Sequence, residues 1–145
     1  MAVGDVREAI RRVELFSTLE PATVDALAQA GATIKYVPGG TIVEQGARGG
    51  GFQLFVEGGG TVVVNGETRR TLVEGDYFGE MSLFDDSPRS ATIIAGDSGA
   101  RTFALSPLSF GAVLESNPRA ARLILGVLAR RVREVEDLLA ATKQS

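Results

Sequence analysis

Residues 61–72 read TVVVNGETRRTL: a β-favouring run, an Asn-Gly pair and a second short run. A two-residue connection between paired strands needs positive φ at both central positions, and Asn-Gly supplies it at the least steric cost. The stretch therefore reads as a β-hairpin, with strands TVVV (61–64) and TRRTL (68–72). Runs of the same kind recur on both sides. ATIKYV (32–37), TIVE (41–44) and FQLFVE (52–57) lie upstream. DYF (76–78), SATIIA (90–95) and ARTFAL (100–105) lie downstream. Many short strands at this spacing suggest a sandwich, jelly roll or barrel. Glycines concentrate in the same region, notably Gly49-Gly50-Gly51 and Gly58-Gly59-Gly60, and read as turn and bulge positions within the sheet.

Both ends of the chain change period. Val6, Ile10 and Val13 recur at helical spacing, and Pro21 opens a second helix that carries Val24, Leu27 and Ala28 inward and stops at Gly31. Ser106-Pro107 and Asn117-Pro118 each read as a cap and first turn, opening LSFGAVLES and then a long final helix. The expectation is one α+β domain over 1–145, with helices in 1–31, strands in 32–105 and helices in 106–142. Along the last helix, Ala121, Leu125, Leu128, Val132, Val135 and Leu139 form a heptad-like seam. Its early turns, widened by Ile124 and Val127, are expected to pack on the sheet. Its later turns, flanked by Arg130, Arg131, Arg133, Glu134 and Glu136, suit a homodimer.

Composition closes much of the functional menu. The chain has no histidine and no cysteine, so the commonest general base, the commonest metal ligand and the thiolate nucleophile are all missing. No catalytic or metal site is expected, and an enzyme of cupin type, which holds its metal with histidines, is disfavoured. A net charge of −3 gives no general pull toward nucleic acid or anionic membrane, so any anion must be held locally. The N-terminal MAVGDVREAIRRVEL is charged where a signal peptide needs an apolar run, and no stretch has the length of an uncharged membrane span. A cytoplasmic protein is expected.

The chemistry concentrates in FGEMSLFDDSPRSATI, residues 78–93. Phe78 is expected to end a strand and be buried. Gly79 lets the backbone turn sharply and approach a ligand without a Cβ in the way. Glu80, Met81, Ser82 and Leu83 suit one helical turn whose first amides point outward to an anion. Arg89 offers a planar fork that matches two phosphate oxygens, while ionised Glu80 only accepts and so suits a hydroxyl pair. Phosphate beside ribose hydroxyls is the polar half of a nucleotide. Asp85 and Asp86 read as solvated turn acids, and Gly49–Gly51 is no P-loop, since no Gly-Lys-Ser/Thr follows.

The run VEGDYFGEMSLFDDSPRSATIIA (73–95) resembles the phosphate-binding cassette of the cyclic-nucleotide-binding domain family, of catabolite-activator-protein and protein kinase A regulatory-subunit type. LFSTLEP (15–21), YVPGGTIVEQG (36–46) and the final helix fit as well, so the likeness covers nearly the whole chain. It implies a jelly-roll-like β-roll of roughly eight strands, flanked by N-terminal helices and a long C-terminal helix. It further implies a small-molecule ligand, cAMP or cGMP, with no cofactor. Arg89 would hold the exocyclic phosphate oxygens with the backbone amides of Ser82 and Ser90. Glu80 would accept from the ribose 2′-OH, and Gly79 would meet the sugar through its backbone. Met81 would touch the base or serve with Phe84 as core and rim. The Ser90 hydroxyl leaves the base preference open, with cAMP expected as the commoner bacterial ligand. The last helix would cover the base through Arg130, Arg131 or Leu138.

The chain also departs from the family. A G-D-x-G-D-x-F-Y pattern is replaced by Gly46-Ala47-Arg48-Gly49-Gly50-Gly51-Phe52-Gln53. Both acids are gone, at Ala47 and Gly50, and the second commonly braces the phosphate-binding arginine. Its loss is expected to weaken binding by about 1–3 kcal/mol, with Glu57 or Asp86 as candidate substitutes. Gln53 replaces a core aromatic. Two functions stand side by side: a cyclic-nucleotide sensor, or a roll that has lost its ligand and serves as a protein-interaction and dimerisation module. No helix-turn-helix, kinase or channel segment follows Ser145, so output is expected in an effector protein, a dimer rearrangement or another part of a larger protein.

Overall fold

In a computed structural model, which describes residues 3–144, Asn65 and Gly66 have φ of 51° and 81°, as the hairpin turn demands. The elements run α1 (Val3–Arg12), a 3-10 turn (Glu14–Phe16), α2 (Pro21–Ala30), β1 (Ala32–Tyr36), β2 (Thr41–Val43) and β3 (Phe52–Val64). Then come β4 (Glu67–Leu72), β5 (Tyr77–Phe78), a second 3-10 turn (Met81–Leu83), β6 (Thr92–Leu105), α3 (Pro107–Ser116) and α4 (Pro118–Gln144). The strands form one antiparallel sheet in the order β1-β6-β3-β4, with β2 also on β6 and β5 also on β3.

The sheet has six strands, fewer than expected. FQLFVE and TVVV are one continuous strand, and so are most of SATIIA and all of ARTFAL. These two long ribbons, β3 and β6, pair along most of their length through irregularities between Phe55 and Glu57 and between Gly58 and Gly60. Gly58–Gly60 is thus a bulged stretch within a strand and not a turn between two. The reason is close approach: a Cβ on Gly59 would stand 2.1 Å from the Leu72 carbonyl oxygen, and one on Gly60 2.6 Å from that of Ile94.

Two apolar clusters hold the sheet in place. The larger lies between the helices and one end of the roll, where Phe16 meets Phe52 edge-on at 5.5 Å and Phe110 at 6.1 Å between ring centroids. The smaller, around Ile42, Phe55, Leu72 and Ile93, fills the roll itself. Val6, Ile10, Val13, Val24 and Leu27 are buried as the helical spacing predicts. The stop at Gly31 is steric, since its backbone is extended (φ −91°, ψ 179°) and a Cβ there would lie 2.3 Å from the Phe103 ring. Ser106 caps α3 by accepting from the Ser109 amide at 3.1 Å. Asn117 instead turns back, donating its side-chain amide to the Val113 carbonyl at 2.8 Å.

Helix α4 buries Ala120, Ile124 and Val127, and its principal neighbours are the Glu14–Phe16 turn and α3 rather than the strands. That face is rotated from the heptad-like seam. Leu125, Val132, Val135 and Leu139 are accordingly exposed. No helix among the described residues is long and apolar enough to cross a membrane.

Candidate functional site

Strand β5 pairs with β3 through Gln53–Phe78 and Leu54–Tyr77 and delivers the chain to Gly79. Gly79 is required twice over. Its φ is +80°, and a Cβ would stand 2.1 Å from the Gly51 carbonyl oxygen and 2.5 Å from Arg89 Nη1. The 3-10 turn that follows closes with the Ser82 amide donating to the Gly79 carbonyl at 3.2 Å. The Ser82 amide is therefore engaged within the turn, contrary to the phosphate-donor role expected of it. The amides of Glu80, Met81 and Ser90 have no protein partner among the described residues.

Arg89 is fixed at its backbone, donating to the Ala47 carbonyl at 2.9 Å and accepting from the Gly46 amide at 2.8 Å. Its guanidinium donates through Nη2 to the Gly51 carbonyl at 2.9 Å and through Nη1 to Ser82 Oγ at 3.3 Å. The guanidinium carbon also lies 5.6 Å from the centroid of the Phe78 ring, within cation–π range. Burial of this side chain draws its pKa below the ordinary arginine value, opposed by Tyr36. Phe78 is half-buried, not buried, because it borders both Arg89 and the open cavity.

Neither candidate acid braces this arginine. Glu57 pairs with Arg101 at 3.7 Å and Asp86 with Arg48 at 3.6 Å. Arg89 has no ion-pair partner among the described residues. A carbonyl and a hydroxyl orient it instead. Ser82 Oγ is the hub of that arrangement, accepting from the Gly51 amide at 3.0 Å as well as from Arg89, and donating to the Gly79 carbonyl at 2.8 Å. The glycine run permits the fit, since a Cβ on Gly50 would lie 2.7 Å from Ser82 Cβ. Gln53 fills the place of the expected aromatic as a buried acceptor for the Tyr36 and Thr102 hydroxyls, at 3.0 and 2.7 Å.

A cavity of about 400 Å³ opens on this arrangement, and Gly79, Glu80, Met81, Ser82, Arg89 and Ser90 all line it. Its volume falls within the ~300–1,000 Å³ of small-molecule sites. Val43, Val62 and Arg70 also line it, from strands outside the 78–93 stretch. No motif marks them, because strand pairing brings them together.

The expected cover over the base is absent from this arrangement. No residue of α4 lines the cavity, and Arg130 and Leu138 are exposed, the latter by 69%. Arg131 comes nearest. Its Nε donates to the Glu14 carboxylate, and its Nη1 reaches Met81 Sδ at 3.9 Å. The Arg131 guanidinium holds the Glu14 carboxyl below the usual carboxylate range, while Glu14 and more weakly Glu80 raise the pKa of Arg131. The final helix is thus tied to the first 3-10 turn and touches the second.

A family model described as the cyclic nucleotide-binding domain matches residues 33–117. A cGMP-dependent protein kinase of Plasmodium berghei is 42% identical over 89 residues, which cover 61% of this chain and 10% of that protein. A cAMP-dependent protein kinase regulatory subunit of Colletotrichum orbiculare is 38% identical over 88 residues, covering 59% of this chain and 22% of that one. The chain therefore spans only a small part of the curated relatives it matches. Among solved structures, the N-terminal domain of a transcriptional regulator from Streptomyces coelicolor A3(2) superposes with a TM-score of 0.82 at 25% identity, covering 89% of this chain and 95% of that one.

Proposed function

The chain belongs to the cyclic nucleotide-binding domain family, and from that premise we propose that it is a regulatory domain that holds cAMP or cGMP in the cassette cavity and reports occupancy through α4. One observation carries this reading. Arg89 is half-buried at the cavity, and its protein partners are a carbonyl and a hydroxyl, with no carboxylate to neutralise it. One N–H on each terminal nitrogen is engaged, which leaves the rest of the guanidinium's five donors to a phosphate. The free amides of Glu80, Met81 and Ser90 lie in the same segment.

The charge count favours a ring-closed phosphodiester. Arg89 is the one lining cation that the cassette itself supplies, with Arg70 contributed by β4, and Glu80 and Asp85 also line the cavity, so the charge of a polyphosphate would exceed what these arginines offset beside two acids. In this reading Glu80 accepts from a ribose hydroxyl and Gly79 meets the sugar through its backbone, both residues lining the cavity. A ligand that shifts the Met81–Leu83 turn alters its contact with Arg131 and so biases the docking of α4. The exposed seam of that helix then offers its state to a second copy or to an effector.

Titration calorimetry with cAMP and cGMP tests the reading, with size-exclusion chromatography at several concentrations to follow assembly with and without nucleotide. Binding is expected, and Arg89→Ala is expected to weaken it by about 1.5–3 kcal/mol. Absence of binding at millimolar nucleotide would refute the sensor and leave the roll as a protein-interaction module.

A further inference from the structure

We propose that Lys35 and Arg101 form a second anion site, for a phosphoryl group, in a cavity separate from the one that Arg89 lines. The sheet register builds it. Lys35 of β1 stands directly opposite Arg101 of β6, and Arg101 opposite Glu57 of β3. Directly paired residues share one face of a sheet and hold their Cβ atoms ~4.5–5.5 Å apart, so both cations reach one small anion. Phe103, two residues on from Arg101, is on the same face and is buried in the helix-side cluster. The helices do not cover the charged row, where Lys35 and Glu57 are exposed.

The cavity measures about 280 Å³, and Lys35, Glu57, Gly58, Ser98, Gly99 and Arg101 are among its lining residues. It shares none of them with the cassette cavity. A break in the ladder forms it. Gly59 alone faces Gly96-Asp97-Ser98-Gly99, between the Gly58–Ala100 and Gly60–Ala95 pairs. A Cβ on Gly58 would stand 2.4 Å from the Gly99 carbonyl oxygen, so bare backbone borders the cavity at this point.

Two cations facing each other across strands repel, and the protein supplies little to offset that. Arg101 meets Glu57 through Nε alone, at 3.7 Å, and so long and exposed a pair contributes little. Both terminal nitrogens of Arg101 and the Lys35 ammonium have no protein partner among the described residues. A planar fork takes two phosphate oxygens, and an ammonium takes a third as a point charge. A carboxylate, with two oxygens, would occupy the fork and leave the lysine without a partner. Glu57 reduces the net charge of the row to +1, which suits one phosphoryl group and not a polyphosphate. A lysine on an edge strand also discourages edge pairing, and a cross-strand Arg–Glu pair steadies a sheet. Those roles explain each cation alone, but not two cations set opposite each other at one cavity.

Nuclear magnetic resonance of the ¹⁵N-labelled chain, titrated at low ionic strength, tests the site. The probes are inorganic phosphate and glycerol 2-phosphate, with chloride at matched ionic strength as the control. Both phosphates are expected to shift the amides of Lys35, Gly58, Ser98, Gly99 and Arg101, and chloride to leave them in place. Tighter binding of the ester would identify a phosphate monoester as the ligand, and tighter binding of the inorganic ion would identify free phosphate. Lys35→Gln and Arg101→Gln are each expected to weaken binding about tenfold or more, and the spectrum of each variant shows that it is folded. Shifts confined to residues 79–90, an equal response to chloride, or undiminished binding in both variants would each overturn the site. None of these outcomes bears on nucleotide binding at Arg89, which calorimetry reads separately.

Discussion

Ser82→Ala separates the two tasks that the cassette hydroxyl performs. Besides a longer approach to the Gly51 carbonyl at 3.3 Å, Ser82 Oγ accepts from the Gly51 amide at 3.0 Å, donates to the Gly79 carbonyl at 2.8 Å and accepts from Arg89 Nη1 at 3.3 Å. The bonds to the Gly51 amide and the Gly79 carbonyl are structural and well formed. Removing the hydroxyl strands the amide of buried Gly51, at a cost of about 1–2 kcal/mol in stability. The bond to Arg89 is longer than the best N–H···O distances, and the Gly51 carbonyl still holds the other terminal nitrogen. Binding should therefore fall by only about 0.5–1 kcal/mol, a two- to fivefold change. Arg89→Ala should do the opposite, cutting affinity strongly while removing a desolvated charge and leaving stability nearly unchanged. Urea denaturation without nucleotide reads the first quantity and calorimetry the second. A Ser82→Ala variant of unchanged stability whose affinity falls more than tenfold would refute this division and make the hydroxyl a direct ligand contact.

Two further perturbations follow from the same geometry. Gly50→Asp restores an acid where the family carries one, but its Cβ would enter to 2.7 Å from Ser82 Cβ. It should destabilise the domain by about 1–3 kcal/mol, read as a lower urea midpoint, and a tighter, equally stable variant would contradict the steric account. The Glu14–Arg131 pair should make the docking of α4 sensitive to acid. The Glu14 pKa is lowered from 4.5 in the folded chain, so its contribution is present above that value and is lost as pH falls through the lowered one. Hydrogen exchange in α4 should rise over that window in the wild type, and Glu14→Gln should remove this component. A profile unchanged by the substitution would show that the pair does not hold the helix.

What the sequence disclosed follows from how local each signal is. The Asn65-Gly66 turn, the Ser106 cap and the Pro21 helix start depend on neighbours within a few residues, and each stands where expected. The six cassette residues share one cavity because a single short segment carries them. Misreadings arise where pairing between distant strands decides. A glycine run that bends a strand looks the same in sequence as one that ends it, so β3 and β6 each read as two strands. Val43, Val62 and Arg70 reach the cavity only through strand register and carry no motif. In α4 the apolar residues occupy two faces, and Leu125, Val132, Val135 and Leu139 of the regular seam are exposed while Leu128 is half-buried, because packing took Ala120, Ile124 and Val127. The orienting partner of Arg89 was the least visible of all, since a backbone carbonyl belongs to every residue type.

That carbonyl changes the expected cost of the missing acids. A carboxylate brace orients an arginine but also neutralises much of its charge, so an incoming phosphate meets a reduced field. Gly51 and Ser82 fix both terminal nitrogens with neutral acceptors, and Glu57 and Asp86 are committed to Arg101 and Arg48. The guanidinium keeps its orientation and its full charge, in surroundings dry enough to lower its pKa. In such a setting a charge-assisted bond is stronger than in water. The loss of about 1–3 kcal/mol expected from removing a brace presumed an arginine left free to wander. This one is held, and the undiminished attraction it offers opposes that loss.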